Sequence, residues 1–200
     1  MSTLAKRKTG INERLTRTGL HANNRLLDVF MLLGPTSVGK TELTKALSEF
    51  LFQTPQVLTR IDMSEYMEKF SVSRLGGTLT EAVRRRSYQV VLLDEFEKAH
   101  RDVLDEGLLT DSQGRLVDFR IMVIILTSNL GSDVLSTLPE GLPSSAVESE
   151  VLSVVGSHYS PEFLNRINEL ILFNRLSRED IRSIVDLQLR QVDNCWRRTT

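Results

Sequence analysis

Residues 34–41 read Gly-Pro-Thr-Ser-Val-Gly-Lys-Thr, the spacing G-x-x-x-x-G-K-[ST]. The chemistry this run can do is phosphate binding. Its glycines let the backbone turn N–H groups toward an anion, and a helix opening at its end adds the positive end of its dipole. Lys40 can reach the β- and γ-phosphates of a nucleotide, and the Thr41 hydroxyl can hold Mg2+. The candidate phosphate-binding residues are therefore Gly34, Pro35, Thr36, Ser37, Val38, Gly39, Lys40 and Thr41. A second group, Asp94-Glu95, closes the apolar run Val90–Leu93. A strand delivering two acids to its C-terminal edge supplies a Mg2+ ligand in Asp94 and a general base for water in Glu95. Alone, the pair reads equally well as an acidic cap on the next helix. The phosphate loop upstream, in the right order, decides for catalysis. A third group is Thr127-Ser128-Asn129, after the apolar run Ile121–Leu126. Asn129 can position an attacking water if its strand neighbours the other two; otherwise it reads as a helix cap before Gly131.

The phosphate loop needs a strand before it and a helix after it. Val29–Leu33 is a short apolar run with β-branched and aromatic members, and Glu42–Phe52 places Leu43, Ala46, Leu47, Phe50 and Leu51 on one helical face. Further strands are expected at Val57–Ile61, ended by Asp62, at Val90–Leu93, at Ile121–Leu126 and at Leu170–Phe173. Helices are expected at Ser64–Phe70, Thr80–Arg86 and Ala146–Ser157, and from Ser177 to about Val192, opened by a capping box of Ser177 and Asp180. Asp105–Arg120 holds the turn signal Asp111-Ser112-Gln113-Gly114, and Leu138–Ser145, with Pro139 and Pro143, reads as a loop. Strands alternating with helices predict an α/β fold with a parallel sheet covered on both sides. Val90–Leu93 is continuously apolar, as a parallel strand buried on both faces must be.

The chain has 200 residues, 40% of them hydrophobic, and a formal net charge of -1. That suits one large domain, or one plus a fragment. Near-neutral charge leaves no nucleic-acid footprint, and no stretch approaches the roughly 18 apolar residues of a membrane span. The single Cys195 allows no internal disulfide, and His21, His100 and His158 lack the spacing of metal ligands. Residues 1–25 are basic, with Lys6, Arg7, Lys8, Arg14, Arg17 and Arg25 against Glu13. The segment reads as a solvated basic lead-in, with an organelle-targeting segment as the alternative. A GTPase is disfavoured by the lack of an N-K-x-D guanine motif.

Taken together these segments resemble the second AAA+ ATPase module of the ClpB-type disaggregases. The resemblance is carried by GPTSVGKTEL (34–43), RIDMSEYMEKFSVSRL (60–75), LTEAVRRR (79–86), VVLLDEFEKAH (90–100), LTDSQGR (109–115), VDFR (117–120), LTSNLGS (126–132) and SPEFLNRINELILFNRLS (160–177). It covers about Thr18 to Val192, and Phe96 and the run Phe173–Ser177 are most similar to the mitochondrial branch found in fungi. It implies a three-layer AAA+ P-loop core over residues 26–175 and the start of a small helical lid over 176–200. Lys40 and Thr41 correspond to the Walker-A pair, Asp94 and Glu95 to the Walker-B pair, and Asn129 to sensor 1. Arg166 corresponds to an arginine finger that acts on a neighbouring subunit's nucleotide; without the resemblance it reads as a surface salt-bridge residue. The implied cofactors are ATP and Mg2+. The implied partners are a hexameric ring of copies or full-length relatives, unfolded or aggregated protein clients, and an Hsp70-type chaperone. The implied compartment is the mitochondrial matrix, with the cytoplasm as alternative.

The chain also departs from the family pattern. Between Leu75 and Thr80 about a dozen residues are missing from a functional loop that carries an aromatic pore residue. Tyr66, Tyr88 and Tyr159 all lie outside that window. Between Val103 and Leu104 about seven residues, roughly two helical turns, are missing. The crossover still exceeds the dozen or so residues a parallel connection needs, so the sheet can close, with less apolar helix to cover it. The family's adenine segment falls before residue 1 and its sensor-2 arginine beyond Thr200. Ser37 stands where the family usually has glycine, which strains the loop if that position needs positive φ. These departures give a second expectation, a catalytically defective nucleotide-binding fragment that only associates with or poisons intact rings.

Overall fold

The computed structural model describes residues 27–53, 57–68, 89–99, 122–139 and 142–197, with the single positions 75, 78 and 81. The basic lead-in, the expected helix at Thr80–Arg86 apart from position 81, the turn at Asp105–Arg120 and both family gaps lie outside them. Five strands form one sheet: β1 (Leu27–Leu33), β2 (Leu58–Asp62), β3 (Gln89–Asp94), β4 (Met122–Ser128) and β5 (Glu169–Leu172). The order is β2-β3-β4-β1-β5 and every pairing is parallel. The helices are α1 (Lys40–Phe52), α2 (Ser132–Thr137), α3 (Glu148–His158), α4 (Pro161–Leu164) and α5 (Arg178–Arg197). All the expected strands are present within a residue or two.

Alternation along each strand sorts the core into two layers, because successive side chains point to opposite faces. Phe30, Leu32, Val90, Leu92, Val123, Ile125 and Ile171 face one side, where Val38 and Leu47 close over them. Val29, Met31, Leu33, Val91, Leu93, Ile124 and Leu126 face the other, under Leu135 of α2, Val151 and Val155 of α3, and Phe163 of α4. Both faces are therefore apolar, and Val90–Leu93 is completely buried.

Local differences from the sequence reading have physical causes. The stripe of α1 against the sheet is Lys40, Thr44, Leu47 and Ser48, while Phe50 is exposed. Small Thr44 and Ser48 let the helix sit close, which rotates Phe50 off the contact. The expected helix from Ser64 is a 3-10 turn, Met63–Tyr66, whose Met63 and Tyr66 stack on one side and enter the core. The segment before Leu138 contains the short helix α2, opened by Gly131 at φ 72, where an added Cβ would sit 2.8 Å from Val151 Cγ1. The loop read at Leu138–Ser145 ends in another 3-10 turn, Ser144–Val147. Helix α4 was not expected, although Ser160-Pro161 is an N-cap with proline at N1 and the Phe163 N–H donates to Ser160 Oγ at 3.3 Å. The capping box of α5 is present: Ser177 N and Oγ donate to Asp180 Oδ2 at 3.0 and 2.8 Å, and Asp180 N donates to Ser177 Oγ at 3.1 Å.

Asp62 ends β2 and caps the turn that follows, accepting from Ser64 N at 2.9 Å and Ser64 Oγ at 2.6 Å. These bonds hold its carboxyl below the usual carboxylate value. A carboxyl lowered on folding adds stability that is complete above the unfolded pKa and is lost as pH falls through the folded one. Asp62→Ala should therefore cost about 1 kcal/mol near neutral pH, the usual worth of a cap. Urea unfolding of both chains should show the difference narrowing in acid below the ordinary aspartate pKa; a difference that widens there refutes the assignment.

Candidate nucleotide site

The chain order places the C-terminal ends of three strands side by side. β4 lies between β1 and β3, which is the neighbourhood Asn129 needs to face the same space as the loop after β1. The Gly34 N–H donates to Ser128 O at 3.3 Å, joining the start of the loop to the end of β4. Gly34 has φ 153, and an added Cβ would sit 2.8 Å from Phe173 Cβ, so the loop leaves β1 too close to the chain after β5 for any side chain. Gly39, at φ 97, turns into α1. Ser37 has φ 63, so the position does need the left-handed region and the serine is strained there. The Val38 side chain packs into the core and anchors the loop from below.

A cleft of about 340 Å3 opens at this edge. Thr36, Ser37, Gly39, Lys40 and Thr41 line it from the loop and α1, Asp94 and Glu95 from β3, and Thr127 and Asn129 from β4. The free N–H groups of the first turn of α1 give it a positive wall. Lys40 is 8% exposed, and its Nζ donates to Gly34 O at 2.6 Å, Pro35 O at 2.9 Å and Asn129 Oδ1 at 2.8 Å. Burial pushes the ammonium below the ordinary lysine value, while the charges of Glu97, Asp94 and Glu95 pull the other way.

The two acids differ. Asp94 is buried; its Oδ2 accepts from Arg60 Nη2 at 2.6 Å and Nε at 3.1 Å, and its Oδ1 accepts from the Thr127 hydroxyl. Glu95 is half-buried, sits at φ 56 and pairs with Lys98 Nζ at 2.6 Å. That bond raises the Lys98 ammonium above its ordinary value. Thr41 and Asp94 present a hydroxyl and a carboxylate to one space. Both are hard oxygen donors of the kind Mg2+ takes, the ion keeping its other positions for phosphate and water.

Arg166 is not among the cleft residues. It lies on the exposed turn after α4, its N–H donating to Phe163 O at 3.0 Å. Two residues escaped the sequence reading: Arg60, which holds Asp94, and Glu97, whose Oε1 accepts from Asn129 N at 3.2 Å and Nδ2 at 3.1 Å. Glu97 reads locally as a solvated charge on a turn, and no local signal marks its bond to Asn129.

A phosphate loop between the first strand and helix of a parallel sheet, facing an Asp-Glu pair on a neighbouring edge, defines a P-loop ATPase of the α/β AAA+ type. Residues 25–170 match the AAA domain family, Cdc48 subfamily, and the chain belongs to that family. It is 54% identical over 194 residues to the chaperone protein ClpB of Rhodopseudomonas palustris, covering 88% of this chain and 22% of that one. To ClpB of Brucella suis it is 54% identical over 198 residues, covering 90% and 23%. Among solved structures it superposes on a Saccharomyces cerevisiae Hsp104–ADP complex with TM-score 0.78 and 37% identity, over 94% of this chain and 36% of that one. On a closed Hsp104 with ATPyS and FITC casein the TM-score is 0.79 at 37% identity, over 95% and 36%. The chain thus spans under a quarter of the length of the curated relatives it matches. Since 88% of 200 residues is about 176, set against a match of 194, about 18 positions of the first relative have no counterpart here.

Ser37→Gly tests the strain in the loop. Removing a Cβ from a left-handed residue relieves about 1 kcal/mol, and the greater freedom of unfolded glycine returns part of it. Chemical unfolding should show a net gain of under about 1 kcal/mol, whereas Gly39→Ala, with open space around it but φ 97, should lose stability. A loss in Ser37→Gly would mean the serine hydroxyl outweighs the strain.

Proposed function

We propose that the chain is the ATP-binding and hydrolysing module, the second of two, of a ClpB-like protein-unfolding and disaggregating chaperone. The observation that carries this reading is the convergence of Lys40, Thr41, Asp94, Glu95 and Asn129 on one cleft at the ends of β1, β3 and β4.

In this reading each residue has a role. The loop N–H groups and Lys40 hold the triphosphate, with Lys40 exchanging the Gly34 and Pro35 carbonyls for phosphate oxygens. Thr41 and Asp94 would hold Mg2+, which would supply positive charge to the phosphates. Glu95, once released from Lys98, accepts a proton from water directed at the γ-phosphate. Asn129 holds that water. Arg166, exposed and outside its own chain's cleft, acts on the nucleotide of a neighbouring copy, which supports a ring of subunits. The Hsp104 complex with casein supports unfolded protein as the client.

The shortfall of about 18 positions against ClpB favours a second reading for the isolated chain, a subunit that binds nucleotide but poisons intact rings. Mixing it with a full-length relative discriminates: lost disaggregation supports poisoning, and unchanged disaggregation removes it.

For the first reading, ATP turnover should rise more than linearly with protein concentration, because each site is completed by a neighbour. Glu95→Gln should lower it by about 100-fold or more. Arg166→Ala should keep the nucleotide Kd within about threefold while lowering turnover by about 1,000-fold. Turnover linear in concentration and indifferent to Arg166→Ala would refute the shared site.

A further inference from the structure

Glu97 belongs to the 3-10 turn Phe96–Lys98 that follows Glu95, but its carboxylate turns back toward the end of β4. One oxygen, Oε1, accepts from both the backbone N–H and the side-chain amide of Asn129. On its other side Asn129 meets Lys40, which donates to Oδ1 at 2.8 Å. A carboxylate only accepts and an ammonium only donates. A single orientation of the Asn129 amide satisfies both neighbours, with NH2 toward Glu97 and the carbonyl oxygen toward Lys40 and the cleft.

We infer that Glu97 is a positioning residue for hydrolysis, locking the Asn129 amide so that it presents an acceptor rather than a donor to the cleft. This rests on the ATPase reading above. The orientation decides what Asn129 does. An acceptor binds a hydrogen of the attacking water and leaves the water's lone pair for phosphorus, whereas an NH2 group would bind a phosphate oxygen instead. In the step itself water oxygen bonds to the γ-phosphorus, the bond from phosphorus to the β-bridging oxygen breaks, ADP leaves with that electron pair, and the water's proton passes to Glu95. Asn129 exchanges no proton. The remaining Glu97 oxygen, Oε2, is buried without a hydrogen-bond partner among the described residues. Glu97 thus has no competing bond there to draw it from Asn129. Glu97 also contributes more to holding the Lys40 charge than Asp94 or Glu95 does, so one side chain serves both Lys40 and Asn129.

The test uses the full 200-residue chain. Glu97→Ala frees the amide to turn over, and should lower kcat at least about tenfold, within the range for losing one oriented group at a reacting centre, while the Kd for a fluorescent ATP analogue moves less than about threefold. Glu97→Gln keeps an acceptor oxygen for Asn129 and should recover most of the loss. Glu97→Ala combined with Asn129→Ala should be no slower than Asn129→Ala alone, since the two act as a unit. Wild-type turnover in Glu97→Ala, or losses that multiply in the double variant, would overturn the inference. If the parent chain shows no turnover, the ATPase reading fails and the pair is judged by folding. Glu97→Ala and Asn129→Ala, made singly and together, should then cost less stability in the double variant than the sum of the single losses; additive losses overturn the positioning role.

Discussion

Lys40 carries a full charge on a side chain that is almost entirely hidden, and most of the site is arranged around that fact. An ammonium has three hydrogens, and each has an acceptor: Gly34 O, Pro35 O and Asn129 Oδ1. None of the three is a carboxylate. Glu97, Asp94 and Glu95 stabilise the charge from a distance, but none lies within salt-bridge reach. The lysine is therefore satisfied without being neutralised. An incoming polyanion has to match the two hydrogen bonds to backbone carbonyls, and it brings the opposite charge that those acceptors lack. In a low-dielectric cleft that charge is worth far more than in water, so exchange of partners favours phosphate and disfavours a neutral ligand.

This arrangement depends on strand order more than on any single residue. Were β3 beside β1, Asn129 would lie at the far edge and Lys40 would lose its third acceptor. Placing β4 in between brings Thr127 against Asp94 and Asn129 against Lys40 from the same strand end. The sheet can hold this order because both faces are apolar, and burial on both faces makes a one-residue slip costly in two layers at once. Gly34 shows the constraint from the other side: it is wedged against Phe173, after β5, so the loop's exit is set by the strand on the opposite flank of β1.

Much of this is legible in the chain itself. The phosphate loop, the Asp94-Glu95 pair and the polar end of the Ile121–Leu126 run follow local patterns of spacing and hydropathy, and the strands that carry them were located to within a residue or two. What local pattern does not contain is pairing between distant segments. Arg60 reads as one more polar residue in a strand, and only its register opposite Leu92 brings its guanidinium to Asp94. Glu97 reads as a solvated charge on a turn, and its bond to Asn129 spans thirty-two positions. Phe50 was placed on the buried face of α1 by hydropathy, but the small side chains of Thr44 and Ser48 set the actual contact. Arg166 stands exposed on the turn after α4, and neither local pattern nor the fold of this chain brings it to the cleft.

The cations at the rim behave differently from the one at the centre. Arg60 and Lys98 hold Asp94 and Glu95, but their side chains are 55% and 44% exposed. The Lys98–Glu95 pair, partly exposed on both sides, gains little and is screened by salt, whereas the Arg60 bonds go to a carboxylate that is itself buried. Lys40 cannot be released to solvent in the same way, since leaving its acceptors without a replacement would strand a buried charge and buried carbonyls together. The two acids are thus held by cations at the rim, while the lysine is held by acceptors inside the cleft.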